Sequence, residues 1–385
     1  MFDEYKNYFL KVCNEALLPE GIVNLILEPE FIAIQNIPFE YEGRINLFKS
    51  VKVIHSSIKP YHIGPLRIKS KISIDELKML SSFFTWQNFL LNMPFSGLSA
   101  GLEVEEKFIK NYKMKKFLSE KFLSFLKDEK EIFYPEMGYE ENEIYCENFT
   151  AKVFEMGGFF NRREILKRGI KIILDKFSEI EDFDYKEKKV LIQGSGKVSL
   201  LFFEVLKEKN AKVVGLSDTK GAIVSDSFNY DEVIELKKNK GKISEIKGEK
   251  LTNAEFLERE CDILILAGPS NVINKNNFDK IKAKVIIEIA PSGINYEIFE
   301  MLSKEKKIIP DIISVLPFTL INSIEAIKKN VSFITKDNLE LYDNTLKNIF
   351  SDIYAYSVAK NKSLKFSGFM ISLLRYAKVL SIKGV

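Results

Sequence analysis

The sequence predicts an α/β protein with an N-terminal α/β domain built on a mixed sheet and a Rossmann-type doubly wound dinucleotide-binding domain. Three observations carry this. The segment VLIQGSGKVSLLFFEVLKEKNAKVVGLSD, Val190 to Asp218, reads as strand, tight turn, helix and strand, which is one βαβ unit. Strand-like and helical segments continue to alternate after it, the pattern of a parallel sheet. Before it, from Glu30, two alternating segments rich in Ile, Val and Phe flank Glu42-Gly43, the pattern of paired strands.

A length of 385 residues allows two or three domains. The expected division is 1–160, a substrate and oligomerisation domain onto which a C-terminal helix (362–385) packs back, and 161–361, the Rossmann domain, whose βα core runs from about residue 186 to about 315. In order along the chain, residues 4–18 read as a helix. Residues 17–29, with two prolines and a glycine, read as a connector. FIAIQNIPFEY and RINLFKSVKVIHSS read as strands of a partly antiparallel sheet. SIDELKMLSSFFTWQNFLL (73–91) is a helix with Ser73 as N-cap and acids in its first turn. NMPFSGLSAG (92–101) reads as a loop, and 105–131 as one or two helices with a solvated mixed-charge face. An amphipathic helix covers 161–180. CDILILAG (261–268), KVIIEIAP (284–291) and IIPDII (308–313) supply further strands, and two helices (337–360, 365–381) close the chain.

Composition excludes several classes. With 57 basic and 54 acidic residues the net charge is +3, which gives no nucleic-acid footprint. Cys13, Cys146 and Cys261 are distant and odd in number, as expected of free thiols in a reducing compartment. Two histidines and no Cys/His cluster oppose a structural zinc, and no metal is expected. The acidic, amphipathic start MFDEYKNYFLKVCNEALL lacks the form of a signal peptide. No apolar run approaches the length of a membrane span. A cytoplasmic protein with no membrane partner is expected.

The candidate cofactor site is Gly194-Ser195-Gly196-Lys197-Val198-Ser199. The first glycine permits the tight turn, the second lets backbone approach a pyrophosphate, and the third position needs a small residue, here Ser199. The following helix offers unpaired N–H groups to the phosphates. Asp218 ends the second strand, 22 residues after Gly196, where a carboxylate suits a ribose hydroxyl. NAD or NADP is the expected cofactor. Asp218 favours NAD, since it repels a 2′-phosphate, while the nearby Lys220 leaves the choice open.

From about residue 9 to 384 the chain resembles the glutamate/leucine/phenylalanine/valine dehydrogenase family, with glutamate dehydrogenase the nearest member. The segments VKVIHSS, SIDELKML, FTWQNFLLNMPFSG, YPEMGY, VLIQGSGKVSLLFFEVLKEKNAKVVGLSDTKGAI, LTNAEFLERECDILILAG and IIPDI fall in family order and spacing. The resemblance implies a nicotinamide cofactor held also by Ala267, Gly268 and Asn271, a small-molecule ligand, and a homo-oligomer, hexamer or dimer, built by the first domain. It also implies a substrate cleft at Ile63, Arg67 and Gln87 and a catalytic pair at Ser99 and Glu136. Here the chain departs from the family. A Lys before two Gly, which holds the distal carboxylate of glutamate, is Ile63 before Gly64-Pro65. The Lys of Thr-Trp-Lys, which holds the α-carboxylate, is Gln87. The catalytic Lys of the glycine-rich segment is Ser99, and the catalytic Asp falls at Glu136. On the nicotinamide side a Thr becomes Leu166, and two Asn become Pro291 and Val315.

The family reaction needs an ammonium of lowered pKa and two cations for the carboxylates. Serine, isoleucine and glutamine supply none. Arg67, Lys59, Lys69 and His62 are the substitute candidates nearby, each also readable as a structural or surface residue. Trp86 reads as core, and Ser96 and Ser99 as remnants of a small-residue loop. The expectation is a nucleotide-binding pseudoenzyme or regulatory subunit of amino-acid metabolism. The alternative is a diverged NAD(P)-dependent oxidoreductase acting on an amino acid or another small CH–NH2 substrate.

Overall fold

The computed structural model describes residues 1–126, 128–139, 149–159, 161–226, 228–239, 241–328 and 336–384. Cys146 lies outside them. The chain forms two compact units: Met1–Arg162 with Phe318–Tyr342 and Phe369–Val385, and Arg163–Pro317 with Asp343–Gly368. No helix among the described residues is long and apolar enough to cross a membrane.

The first unit opens with α1 (Phe2–Glu15), α2 (Glu20–Leu27), β1 (Phe31–Tyr41), β2 (Arg44–Ile54), β3 (Tyr61–Lys69) and α3 (Ile74–Leu90). It continues through β4 (Phe95–Glu103), α4 (Glu106–Ile109), α5 (Tyr112–Leu126) and β5 (Glu131–Pro135). Two expectations are corrected here. The connector at 17–29 contains α2: Pro19 is its N-cap residue, and Val23, Ile26 and Leu27 bury one face, so packing overrides the Gly and Pro signals. The loop at 92–101 contains most of β4, a strand whose first eight residues are all buried. Its small residues hid it, because they lack the branched and aromatic side chains that mark a strand.

Its sheet runs β1-β2-β4-β3-β5, with β1, β2 and β4 antiparallel and β4, β3 and β5 parallel. Glu42 and Gly43 both have positive φ and close the β1–β2 hairpin as a two-residue turn whose twist matches the strands. One sheet face packs Leu66, Leu98, Ala100 and Leu102 against Phe108 of α4 and Leu118 and Phe122 of α5. The other faces α3. A Cβ on Gly97 would lie 1.8 Å from the Ser81 carbonyl of that helix, so only glycine lets the two approach. Ser73 caps α3 by accepting from the Glu76 amide, as its sequence indicates. Trp86 is fully buried, stacks on Phe9 at 4.4 Å and donates to Ser82 Oγ. Burying side chains of this size contributes roughly 1.5–3 kcal/mol each.

The second unit holds α6 (Arg162–Glu181), β6 (Lys189–Gln193), α7 (Lys197–Glu208), β7 (Lys212–Asp218), β8 (Gly221–Val224), α8 (Tyr230–Lys238), β9 (Glu249–Leu251) and α9 (Asn253–Leu257). After these come β10 (Ile263–Leu266), β11 (Val285–Glu288), α10 (Tyr296–Glu305), β12 (Lys307–Ile309) and α11 (Asp311–Ser314). The helices α12 (Leu316–Lys328), α13 (Lys336–Lys360) and α14 (Leu364–Lys383) end the chain. Its sheet runs β12-β11-β10-β6-β7-β8-β9, parallel from β12 to β7. This is the doubly wound sheet expected, with two antiparallel strands, β8 and β9, added at one edge. IIPDII is a strand only through Ile309; Pro310 cannot continue the ladder and begins α11 instead. Cys13 and Cys261 are buried, and burial pushes both thiols up to about 12, so they are packing residues.

His55 sits wholly inside the first unit, between Ile26 and α3. Its Nε2 lies 3.0 Å from the Ile26 carbonyl, which can only accept, so Nε2 carries the proton, and Nδ1 lies 3.0 Å from Thr85 Oγ1. Burial lowers the imidazole pKa from 6.5 to about 4. The folded state therefore prefers the neutral ring, and this stabilisation, roughly 3 kcal/mol, is present above the unfolded value and lost as acid charges the unfolded chain. Unfolding in urea should show stability falling between pH 6.5 and 4. A His55→Gln variant should show a shallower slope, the remainder coming in part from His62, whose pKa burial also lowers; an unchanged slope in the variant would place its origin elsewhere.

Candidate functional site

In the first unit, β3 carries Ile63 and Arg67, β4 carries Ser99, α3 carries Gln87, and Glu136 follows β5. Ile63 is buried and lies in register with Gly97 on one side and Ile132 on the other. Ser99 is fully buried and donates to the Leu77 carbonyl of α3 at 2.6 Å. Gln87 is fully buried and its Oε1 accepts from Thr319 Oγ1 at 2.5 Å. Next to that pair Ser323 donates to Asn88 at 3.0 Å. Both polar positions are thus built into the packing of α3.

The structure brings Arg67 and Glu136 together. Nε and Nη2 of Arg67 donate to the two Glu136 oxygens at 2.5 and 2.8 Å, and Nη1 donates to Glu76 Oε1 at 2.5 Å. The guanidinium is almost wholly buried, and the two carboxylates raise its pKa against the opposing effect of burial. Lys69 also pairs with Glu76, at 3.2 Å. Arg67 and Lys69 are thus engaged by carboxylates of the chain itself.

His62 and Lys59 differ from these. His62 is buried, neither ring nitrogen has a hydrogen-bond partner among the described residues, and burial lowers its pKa. Lys59 is half-buried. Its Nζ donates to the Met93 carbonyl and lies 3.7 Å from the centre of the Phe89 ring. Burial, aided by the charge of Arg375, lowers its pKa to about 8. Sequence reasoning gave Lys59 no distinction from its neighbours, because its burial depends on Phe89 and Met93, thirty residues on.

In the second unit the chain winds outward from β6 in both directions, so the switch point falls between β6 and β10. Ligands of such sheets bind at the carboxyl ends of these strands. Gly194 has φ +101°, and its Cβ would lie 2.8 Å from the Ala267 carbonyl. Gly196 is the N-cap residue of α7 and makes no side-chain cap; a Cβ there would meet nothing within 4 Å among the described residues. Open space thus lies beside Gly196 at the start of α7, while Ser199 is buried as the third small residue. Ser195 lies between the two glycines of the turn. Gln193, which sequence reasoning missed, ties the edge together: its carbonyl accepts from Ala267 N at 2.8 Å and its Oε1 from Gly268 N at 2.9 Å. Asn271 has φ +57° and donates its amide to the Ser292 carbonyl at 2.7 Å.

Asp218 ends β7 beside the turn. One carboxylate oxygen accepts from Lys220 N at 2.8 Å and the other from Ile243 N at 3.4 Å. A carboxylate has about four lone-pair sites, so acceptors remain for a vicinal diol. Lys237 is close enough to Asp218 to feel its charge, although burial leaves its pKa below the usual lysine value. Of the residues on the nicotinamide side by resemblance, Leu166 is buried in α6, Pro291 lies in the turn after β11, and Val315 ends α11.

Residues 157–384 match the Glutamate/Leucine/Phenylalanine/Valine dehydrogenase family, and residues 29–148 match the Glu/Leu/Phe/Val dehydrogenase dimerisation domain. The glutamate dehydrogenase of Thermotoga maritima is 26% identical over 395 residues, covering 96% of this chain and 94% of its own. The NADP-specific glutamate dehydrogenase of Saccharolobus shibatae is 26% identical over 369 residues, covering 89% and 87%. Among solved structures, the hetero-hexameric glutamate dehydrogenase of Thermus thermophilus in its Leu-bound form superposes with a TM-score of 0.89 at 17% identity, covering 100% of this chain and 97% of that one. With these matches spanning both units, the chain belongs to the Glu/Leu/Phe/Val dehydrogenase family.

Proposed function

We propose that this chain binds NAD or NADP at the carboxyl edge of the second unit's sheet and does not deaminate glutamate. It then acts as a pseudoenzyme or regulatory subunit of amino-acid metabolism. One observation supports the reading: Ile63, Gln87 and Ser99, which by resemblance stand where the family has lysines, are all buried, the latter two hydrogen-bonded within the fold.

The dinucleotide fits. The open space beside Gly196 at the start of α7 would receive the pyrophosphate, and Asp218 the ribose. Among relatives, the Saccharolobus shibatae enzyme is named NADP-specific and a Bacillus subtilis glutamate dehydrogenase NAD-specific. When bound, the nicotinamide supplies a hydride donor or acceptor. Substrate chemistry is another matter. Glu136, the match to the catalytic acid, is neutralised by Arg67. Each missing charge-assisted contact to a glutamate carboxylate costs on the order of 1.5–3 kcal/mol. The second reading, an oxidoreductase acting on another substrate, rests on Lys59, whose lowered pKa of about 8 suits a general base.

Three outcomes follow. NAD or NADP at millimolar concentration should raise the melting temperature of the wild type, and Gly196→Val, which fills the open space, should abolish the rise. Absence of any rise in the wild type refutes nucleotide binding. Purified protein given 2-oxoglutarate, ammonium and NADH or NADPH should turn over far below roughly 1 per second, the lower edge of ordinary enzymes. A rate at or above that edge refutes the pseudoenzyme reading, and turnover on another amino acid that Lys59→Met removes would favour the second.

Arg67→Met should destabilise the chain by on the order of 1–2 kcal/mol in chemical denaturation, because it leaves the part-exposed Glu136 without its partner and Glu76 with Lys69 alone. Unchanged stability would mean that the guanidinium is held for another purpose. The outer face of the β1–β2 hairpin exposes Ile32, Ile34, Ile45 and Leu47, a patch of the kind that marks an interface. Self-association through it is expected to give a dimer or hexamer in light scattering, and Leu47→Lys with Ile34→Lys should yield monomers. A monomeric wild type at micromolar concentration overturns this.

A further inference from the structure

We propose that Lys365, at the start of α14, is a positioning residue. Its buried ammonium holds Glu288 and Asp311 so that their second oxygens pin the turn Pro291–Ile294 at the carboxyl edge of the sheet, where the second half of the dinucleotide would lie. The inference rests on the nucleotide reading above.

Lys365, Glu288 and Asp311 are all fully buried. Lys365 Nζ lies 2.8 Å from Glu288 Oε2 and 3.2 Å from Asp311 Oδ1. Its remaining surroundings are aromatic: the rings of Phe299 and Tyr296 on α10 lie 4.3 and 4.9 Å away. The other oxygens of both carboxylates are spent on the turn. Glu288 Oε1 accepts from Ile294 N and Asp311 Oδ2 from Ser292 N, both at 2.9 Å. Ser292 has φ +62°, a backbone state that a non-glycine residue holds only under constraint.

The turn is in turn fastened to the loop after β10. Asn271 N donates to Ser292 O at 2.7 Å, Ile273 N to Gly293 O at 3.2 Å, and Asn295 N to Ile273 O at 2.8 Å. That loop begins at Ala267 and Gly268, which pack against Gly194 and Gln193 of the phosphate turn. One continuous set of contacts therefore runs from Lys365 to the candidate pyrophosphate site. In a doubly wound sheet a dinucleotide crosses the switch point, one mononucleotide half on each side. The half on the β6–β7 side is met by Asp218; the other half falls on the β10–β11 side, against this turn.

Energetics separate positioning from mere stability. Removing three charges from water is costly, and well-packed apolar residues would serve a core as well or better. Burial raises the Glu288 carboxyl to about 7, whereas the two carboxylates hold the Lys365 ammonium above its usual range despite burial. A cluster this expensive, whose free oxygens both point at one turn, is spent on the geometry of that turn.

The test compares ligands that read the two halves. Binding of NADH and of ADP is measured by calorimetry on the full-length wild type, Lys365→Gln, Lys365→Arg, and the double variant Lys365→Gln with Glu288→Gln, which strands no glutamate charge and guards against failure to fold. Lys365→Gln, or the double variant if the single one does not fold, should weaken NADH by roughly tenfold or more while leaving ADP within about twofold. Lys365→Arg should restore most of the loss. An equal loss for both ligands, or no loss for NADH, overturns the proposal. If the wild type binds neither ligand, the nucleotide reading itself has failed and the proposal goes with it.

Discussion

Everything in the first unit depends on how closely α3 can lie against β4. At Gly97 the helix backbone occupies the place of a Cβ, so the contact is made backbone to backbone. Thr85 then reaches the Gly97 amide at 2.8 Å and the His55 ring at 3.0 Å, and Ser99 reaches Leu77. The same closeness explains why polar side chains survive here. His55 and Ser99 each sit within hydrogen-bond reach of a hydroxyl or carbonyl of α3, which offsets their desolvation.

This packing bears on function through charge. Arg67 and Lys69 face the chain's own carboxylates. Arg67 joins β3 to α3 and to the segment after β5 through Glu76 and Glu136. Lys52 does similar work toward Glu131 on the far strand of the sheet. A bidentate, buried guanidinium is an effective clamp and a poor receptor, because its donors are committed before any ligand arrives. The second unit shows the opposite arrangement at its phosphate turn, where the amides at the start of α7 are left without a side-chain cap.

Local signals made the second unit readable. The VLIQ strand, the GSGKVS turn and Asp218 are close in sequence and govern one another through backbone geometry alone. The apolar runs of β10 and β11 needed only their flanking turns to be identified, because strands buried on both faces read as continuous apolar segments. β8 and β9 were not legible: they are four and three residues long and owe their existence to pairing with β7 and with each other.

What the sequence by itself determined, then, is the alternation of the main strands and helices of the second unit, the glycine-rich turn after β6, and the absence of lysine at positions 63, 87 and 99. Those follow from residue identity and short-range spacing. Only the tertiary structure decided that NMPFSGLSAG is a strand, because its small residues make sense only once α3 lies over them. Tertiary structure likewise decided that Arg67 is bound to Glu136, sixty-nine residues away, and that Lys59 meets a ring and a carbonyl. Burial and ion pairing are properties of groups brought together from distant parts of the chain. No local pattern encodes them, since the desolvation that sets each charge exists only after the chain has packed.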